Sequence, residues 1–507
     1  MVNLSYLKMN KMKKKNIIYM LATAICTLLC ASCENDVSEN GVKDQLYMLT
    51  SGEKVVSVYR AKTSEAINFS VYKSGMRISS ADVELTVDQA ALAEYNTANG
   101  TALQVLPADC YTINKTSIQL DPLEVKDSVK IVLDVKKIEA VQGVGTRKYA
   151  IPLKLQSKNQ VAVVDDKSTL IIIPEITGGM RPGSGKVLWT KTFEQLGILP
   201  AASMTHSIAV TDRYLYINTR NLDLNYYDRF TGDSIGAITL PFKGSLTNFT
   251  ITNDDKGNML ITNLRNAKNV LANQTIYRIR ETGQSEVFIT CDHTYVTGRK
   301  LSVKGDIDGD ALIMASVDNS STYLYWEVKG GVLQSNDPKL YAPDPLKASW
   351  QYQTDIHPLT TNLSDGVFLT SYNTTTARGF GFFDGSGAAK YMYDLVAGGF
   401  DPAAGIAING MDGIRFNENE YLVIAGAKGT ADGIVYARLL NVNKRENLAG
   451  DPMNASLVAF DMPATTCTKN VNLLADAQLI AGAETMEMYV LGVNGSVTCV
   501  QFDCKAE

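Results

Sequence analysis

The stretch Asp306-Ile307-Asp308-Gly309-Asp310-Ala311-Leu312-Ile313-Met314 decides how the larger part of this 507-residue chain reads. Asp and Gly supply the geometry of a tight turn, and the apolar run behind them has the length of a buried strand. The phrase returns as Thr211-Asp212-Arg213-Tyr214-Leu215-Tyr216-Ile217 and as Asp254-Asp255-Lys256-Gly257-Asn258-Met259-Leu260-Ile261. It returns again as Ser364-Asp365-Gly366-Val367-Phe368-Leu369, Asn417-Glu418-Asn419-Glu420-Tyr421-Leu422-Val423-Ile424 and Glu484-Thr485-Met486-Glu487-Met488-Tyr489-Val490. A second strand follows each, for example Asn225-Tyr226-Tyr227-Asp228, Tyr323-Leu324-Tyr325-Trp326 or Val497-Thr498-Cys499-Val500-Gln501-Phe502. Six units about 45–65 residues apart match the period of propeller blades, four-stranded sheets around a central channel. Six blades are expected, with five or seven as the alternatives.

The ring has a means of closure. Nothing after Phe502 gives the sixth unit an outer strand, while Lys186-Val187-Leu188-Trp189-Thr190-Lys191-Thr192-Phe193 reads as a strand without a blade of its own. Placed beside the last unit, it would remove an exposed edge. Just before it, Thr177-Gly178-Gly179-Met180-Arg181-Pro182-Gly183-Ser184-Gly185 packs four Gly and one Pro into nine residues, the composition of a joint. The propeller is therefore expected over 186–507 and the linker over 177–185.

Upstream, Ala66-Ile67-Asn68-Phe69-Ser70-Val71-Tyr72, Asp82-Val83-Glu84-Leu85-Thr86-Val87-Asp88 and Ser128-Val129-Lys130-Ile131-Val132-Leu133-Asp134-Val135 alternate apolar and polar residues. Period two means strands with one buried face. Seven or eight such strands over 44–176 predict an immunoglobulin-like β-sandwich, so the fold class is all-β throughout. Pro152 is expected to put its strand at an edge or a bulge. One helix is expected, opened by Asp88, running over Gln89-Ala90-Ala91-Leu92-Ala93-Glu94-Tyr95-Asn96 and stopped by Gly100.

The run from Val87 to Asn96, continued by Asn99-Gly100-Thr101 and followed by Leu106-Pro107-Ala108-Asp109-Cys110-Tyr111 and Lys148-Tyr149-Ala150-Ile151-Pro152-Leu153, carries a resemblance. Together these residues resemble the N-terminal domain of unknown function found in many Bacteroidota surface lipoproteins. The resemblance covers roughly residues 40–175. It implies a partner in a starch-utilisation-like glycan uptake system, and the same domain sometimes precedes a glycosidase. It brings no catalytic residue with it.

Residues 12–33 read MKKKNIIYMLATAICTLLCASC. A basic start, an apolar middle and Ala31-Ser32-Cys33 make a secretory signal too short to span a bilayer. The small-small-Cys ending resembles a bacterial lipobox, which implies lipidation at Cys33, although Cys30 stands where that family carries Leu. Residues 1–32 are then the lipoprotein signal peptide and 33–43 an acidic tether with Glu34, Asp36 and Glu39. An acidic cluster behind a lipidated Cys resembles a surface-export signal, so the expected location is the outer membrane, held by lipid alone.

The net charge is −5, from 48 basic and 53 acidic residues. The first 32 residues hold five Lys and no acid, so without them the balance is 43 against 53, or −10. So acidic a body is a poor nucleic-acid binder, since phosphate contacts need clustered Lys and Arg, and no nucleic-acid partner is expected. Three His argue against a His-rich metal centre, and no cofactor is expected. Cys110, Cys291, Cys467, Cys499 and Cys504 show no CxxC or zinc spacing and read as buried or free thiols, with a Cys467–Cys499 bridge left open. Asp306 to Asp310 reads as a turn, because a calcium loop of the EF-hand type needs Gly at its sixth position and Glu at its twelfth.

No hydrolase elbow, HExxH, phosphate loop or dinucleotide turn is present. A binder is therefore favoured over an enzyme, and the family resemblance implies a glycan or glycoconjugate as its ligand, a propeller glycosidase or lyase and a protein-interaction scaffold being the alternatives. Propeller ligands commonly sit at the channel mouth, near the innermost strands and the loops entering them. That placement singles out His206, Asn248, Arg299, Trp350, Tyr352, His357 and Asn409 as ligand-binding candidates. Trp350-Gln351-Tyr352-Gln353-Thr354-Asp355 mixes flat rings, amides and an acid, a set suited to the apolar faces and hydroxyls of sugars. Trp189 and Trp326, inside strands, are expected in the core.

Overall fold

The computed structural model describes residues 42–76, 79–198, 205–265, 273–318, 320, 322–343, 354–371, 379–401, 406–428, 434–466, 475–493 and 495–504. The protein is all-β and divides into two compact units at Thr177 and Gly178. No described helix is long and apolar enough to cross a membrane.

In the first unit, two sheets share one core. One has the order Ala162–Val163, Gln45–Met48, Ser64–Ser74, Lys126–Asp134, Tyr111–Ile113. The other runs Gly52–Tyr59, Thr169–Thr177, Tyr149–Ser157, Ala81–Val87, Ser117–Leu120, with Gln104–Val105 beside Tyr149–Ser157. Alternation sends Ile67, Phe69 and Val71 from the first sheet and Val83, Leu85 and Leu153 from the second into the shared core. Thr169–Thr177 is buried on both faces, which is why its apolar run does not alternate. Leu170 and Ile172 face the core, whereas Ile171 and Ile173 face Leu92 of the helix Gln89–Asn99. That helix starts where Asp88 accepts the N–H groups of Ala90 at 2.8 Å and Ala91 at 3.2 Å. It ends at Gly100, which is left-handed with φ 65°.

Three features of this unit differ from expectation. Eleven strands are present among the described residues, because Gln104–Val105, Tyr111–Ile113 and Ala162–Val163 are too short to show a period. A second helix, Val135–Gln142, follows directly on a strand; its signal is Asp134, whose carboxylate accepts the Lys137 N–H at 3.1 Å. Pro152 lies in an inner strand and not at an edge. Its carbonyl accepts the Asp88 N–H at 2.9 Å, just where Ala81–Val87 has ended. The missing N–H therefore falls at a seam in the sheet, where no ladder bond is lost.

The second unit contains six sheets built on antiparallel hairpins. Their first strands are Thr205–Val210, Thr250–Asn253, Thr297–Gly305, Ile356–Pro358, Ile406–Phe416 and Ala475–Ala481. Each first strand contacts those of the sheets before and after it, and Ala475–Ala481 contacts Thr205–Val210, so the six form a closed cycle. Lys186–Thr192 pairs antiparallel with Ser496–Asp503 and becomes the outer strand of the last sheet. Six apolar clusters fill the spaces between consecutive sheets, again without a break. Trp326 is fully buried in one, its ring N–H donating to the Asn336 carbonyl at 3.0 Å. Trp189 is half-buried in another. Cys110, Cys291 and Cys499 are buried free thiols, Cys504 is half-buried, and Cys467 lies outside the described residues.

Candidate functional site

The first strand of each sheet is an edge, so half of its N–H groups lack a ladder partner and need another acceptor. Side chains of neighbouring first strands provide it. Asp476 accepts the Ile208 N–H at 2.8 Å, Asp355 the Met411 N–H at 3.1 Å and Asn409 the Ala475 N–H at 2.8 Å. Asn253 accepts from Val210 at 2.7 Å and Ser207 from Ile251 at 3.1 Å. The strands approach closely: a Cβ on Gly410 would lie 2.9 Å from the Asp476 Cα.

Where these strands converge, the Lys300 Nζ sits between two carboxylates, 2.8 Å from Asp476 and 3.4 Å from Asp355. All three are buried. Burial opposes the Lys300 charge, but the two aspartates outweigh it and its pKa stays above the ordinary value. Burial pushes the Asp355 carboxyl up to about 6, against the pull of Lys300. One cation thus balances two acids. The adjoining space is only ≈ 10 Å³, room for a single water.

Further along the same strands lies a cavity of ≈ 440 Å³, within the range of small-ligand sites. Lys304 reaches it, held 3.1 Å from Asp255 and 3.2 Å from the Gly413 carbonyl. His357 lines it and is only 4% exposed. Gly413 makes room for the imidazole, since a Cβ there would lie 2.7 Å from Nε2. Leu359, Phe368, Leu422 and Val442 give it apolar lining, while Thr360, Thr361, Arg415 and Glu420 add polar groups. Arg415 pairs with Glu418 at 2.6 Å and Glu420 with Arg445 at 3.3 Å. Burial, helped by Lys304, holds the His357 pKa well below its ordinary value, so the ring is neutral. Its Nδ1 lies 3.4 Å from Asp412, and burial pushes that carboxyl up to about 7 even though it accepts the Leu479 N–H at 2.7 Å. The pair is therefore a contact of polar groups and not an ion pair.

Of the residues singled out from sequence, His357 lines the cavity. Asn248 is fully buried, and its amide donates to the Leu222 carbonyl at 2.9 Å and accepts the Asn221 N–H at 2.8 Å. Asn409 is fully buried in the strand-to-strand role above. Arg299 donates through Nε to Asp318 at 2.8 Å. These three side chains bind the fold together where a ligand contact was expected. Trp350, Tyr352, the His206 side chain and Cys33 lie outside the described residues. Asp306 to Asp310 forms a hairpin turn, with the Asp306 N–H on the Asp310 carbonyl at 2.8 Å. Its Asp308 pairs with Arg278 and its Asp310 with Lys329. Among the described residues no group of three or more His, Cys, Asp or Glu is placed to hold a metal.

Lys300, Lys304, Asp412, Arg415 and Asp476 were missed. The signal available in sequence was a charged residue inside an otherwise apolar run, as in Ala475-Asp476-Ala477.

The comparisons with known proteins come to the same division. A model of an N-terminal domain matches residues 42–162, and a domain of unknown function, DUF8500, matches residues 187–503. No curated protein matches. A DUF4623 family protein from Bacteroides eggerthii is similar in structure, with a TM-score of 0.51 at 12% identity, covering 90% of this chain and 97% of that one. At such identity the likeness is one of fold. A carbohydrate-binding candidate from Bacteroides ovatus matches with a TM-score of 0.24 at 11% identity over 58% of this chain and 82% of its own, too distant to carry an argument. With 187–503 amounting to more than half of its length, the chain belongs to the DUF8500 family.

Proposed function

We propose that the protein is a surface lipoprotein that binds a glycan or glycoconjugate without cleaving it and hands it to an uptake system of the outer membrane. In this reading the first unit is an immunoglobulin-like sandwich that acts as a spacer. The six sheets of the second are the blades of a propeller, closed by Lys186–Thr192. Lipid on Cys33 would tether the chain.

The observation that carries the binding role is the ≈ 440 Å³ cavity, where Lys304, His357, Thr360, Thr361, Arg415 and Glu420 stand beside Leu359, Phe368 and Leu422. Sugars need that combination, because their hydroxyls take paired donors and acceptors while their C–H faces need apolar wall. The spaces lined by Asp412, a buried acid whose pKa is pushed up to about 7, are ≈ 10 Å³ and ≈ 40 Å³. Neither admits a sugar, so its proton has no substrate to reach, and this favours binding over hydrolysis. A glycan array with the purified chain, followed by product analysis on every hit, tests the proposal. Retention of a glycan with no product supports it; a cleaved product, or no retained glycan, overturns it.

A further inference from the structure

The motif residues of the first unit find no use in the second unit's cavity, yet they converge on a cavity of their own. It measures ≈ 640 Å³ and is lined by Tyr95, Asn99, Thr101, Gln104, Lys148 and Tyr149, among others. Its wall is built before any ligand arrives. Gly100 turns the chain off the helix in the left-handed conformation. The Asn96 amide then fixes the returning segment, donating to the Leu103 carbonyl at 2.8 Å and accepting the Leu103 N–H at 3.0 Å. The Thr101 hydroxyl donates to the Asn96 side-chain oxygen at 2.7 Å. Gln104 is held by its N–H on the Lys148 carbonyl at 2.9 Å. A wall fixed in this way lowers the ordering cost of binding.

The polar groups are unequal in what they have left to offer. Arg147 is engaged by Glu175, Nε to Oε2 at 2.7 Å. Glu53 accepts the Tyr95 hydroxyl. Asn99 spends its amide N–H on the Tyr95 carbonyl at 2.9 Å, which leaves its side-chain oxygen for a ligand hydroxyl. Lys148 is exposed, and no acidic group accepts its ammonium among the described residues. Tyr95 and Tyr149 contribute rings, and Leu103 and Ile173 apolar surface. Ring faces and amides suit a sugar chain, and an ammonium without an acid asks for a carboxylate.

We propose that this groove is a second carbohydrate site, independent of the first, that takes an acidic oligosaccharide with a uronate carboxylate on Lys148. The test is calorimetric titration of the full chain with trigalacturonate and, separately, with neutral maltotriose. Thr361→Trp, which fills the other unit's cavity, is the background in which Lys148→Glu is then made. Trigalacturonate should bind the Thr361→Trp chain, at least tenfold more tightly than maltotriose. Lys148→Glu should weaken it at least tenfold, and added salt should weaken the Thr361→Trp complex but not the residual binding. Asn99→Ala, on the exposed end of the helix, should weaken both sugars alike and so report on hydroxyl recognition without charge. Absence of trigalacturonate binding to the Thr361→Trp chain, or equal affinity before and after Lys148→Glu, would overturn the assignment.

Discussion

Replacing Asp412 by Asn should stabilise the second unit at alkaline pH and leave it nearly unchanged at acid pH. Asp412 is enclosed, with one oxygen on the Leu479 N–H at 2.7 Å and the other 3.4 Å from His357. Burial raises its pKa from 3.8 to about 7. In the unfolded chain the same carboxyl titrates near its ordinary value, about 3.9. Between about pH 4 and about pH 7 the folded protein therefore keeps a proton that the unfolded chain has lost. Stability from this group is complete below about pH 4 and drains away as pH rises to about 7. At 1.36 kcal/mol per pH unit, the loss at pH 8 is roughly 4 kcal/mol. Asn keeps the shape and an oxygen for the Leu479 N–H, and it carries no charge to bury. All three Trp, at 189, 326 and 350, lie in the second unit, so their fluorescence during urea unfolding reports on that unit. Asp412→Asn should match the parent at pH 4 and exceed it by roughly 4 kcal/mol at pH 8. Equal destabilisation at both pH values would show that the carboxylate is charged and needed, and would refute the reasoning.

Other parts of the account can be tested as directly. Lys300→Met leaves Asp355 and Asp476 buried without a counter-charge and should cost about 3–5 kcal/mol at pH 8; the same fluorescence assay should show the loss shrinking toward pH 5, where Asp355 can take up a proton. Leu92→Ala opens a hole over Ile171 and Ile173 and should lower the first unit's stability by about 2–5 kcal/mol, read from its own calorimetric transition. Cys33→Ser should abolish incorporation of labelled palmitate in cells and release the protein from the membrane fraction.

Much of this fold was legible because half-buried strands write their burial into the sequence. Tyr214 to Ile217 and Ala311 to Met314 are apolar runs set off by turn residues, and each is a strand. The capped helix was equally readable, since Asp88 and Gly100 act through local hydrogen bonds and φ. Pro152 was misread because its harmlessness depends on where a neighbouring strand stops, which is a tertiary fact. The site was less legible for the same reason. Asn248 and Asn409 looked like ligand residues because they are polar and follow the connections between successive sheets. Their partners, Leu222 and Ala475, lie 26 and 66 residues away in sequence. Lys304 and Gly413 meet across 109 residues, and nothing local announces the meeting.

The most direct test of the central claim is the affinity of an array-identified glycan for the parent chain and for Thr361→Trp, which places a ring in the cavity beside Lys304 and His357. The account predicts at least tenfold weaker binding in the variant, with its urea midpoint unchanged. Unchanged affinity would contradict it, because the glycan would then be held somewhere other than this cavity.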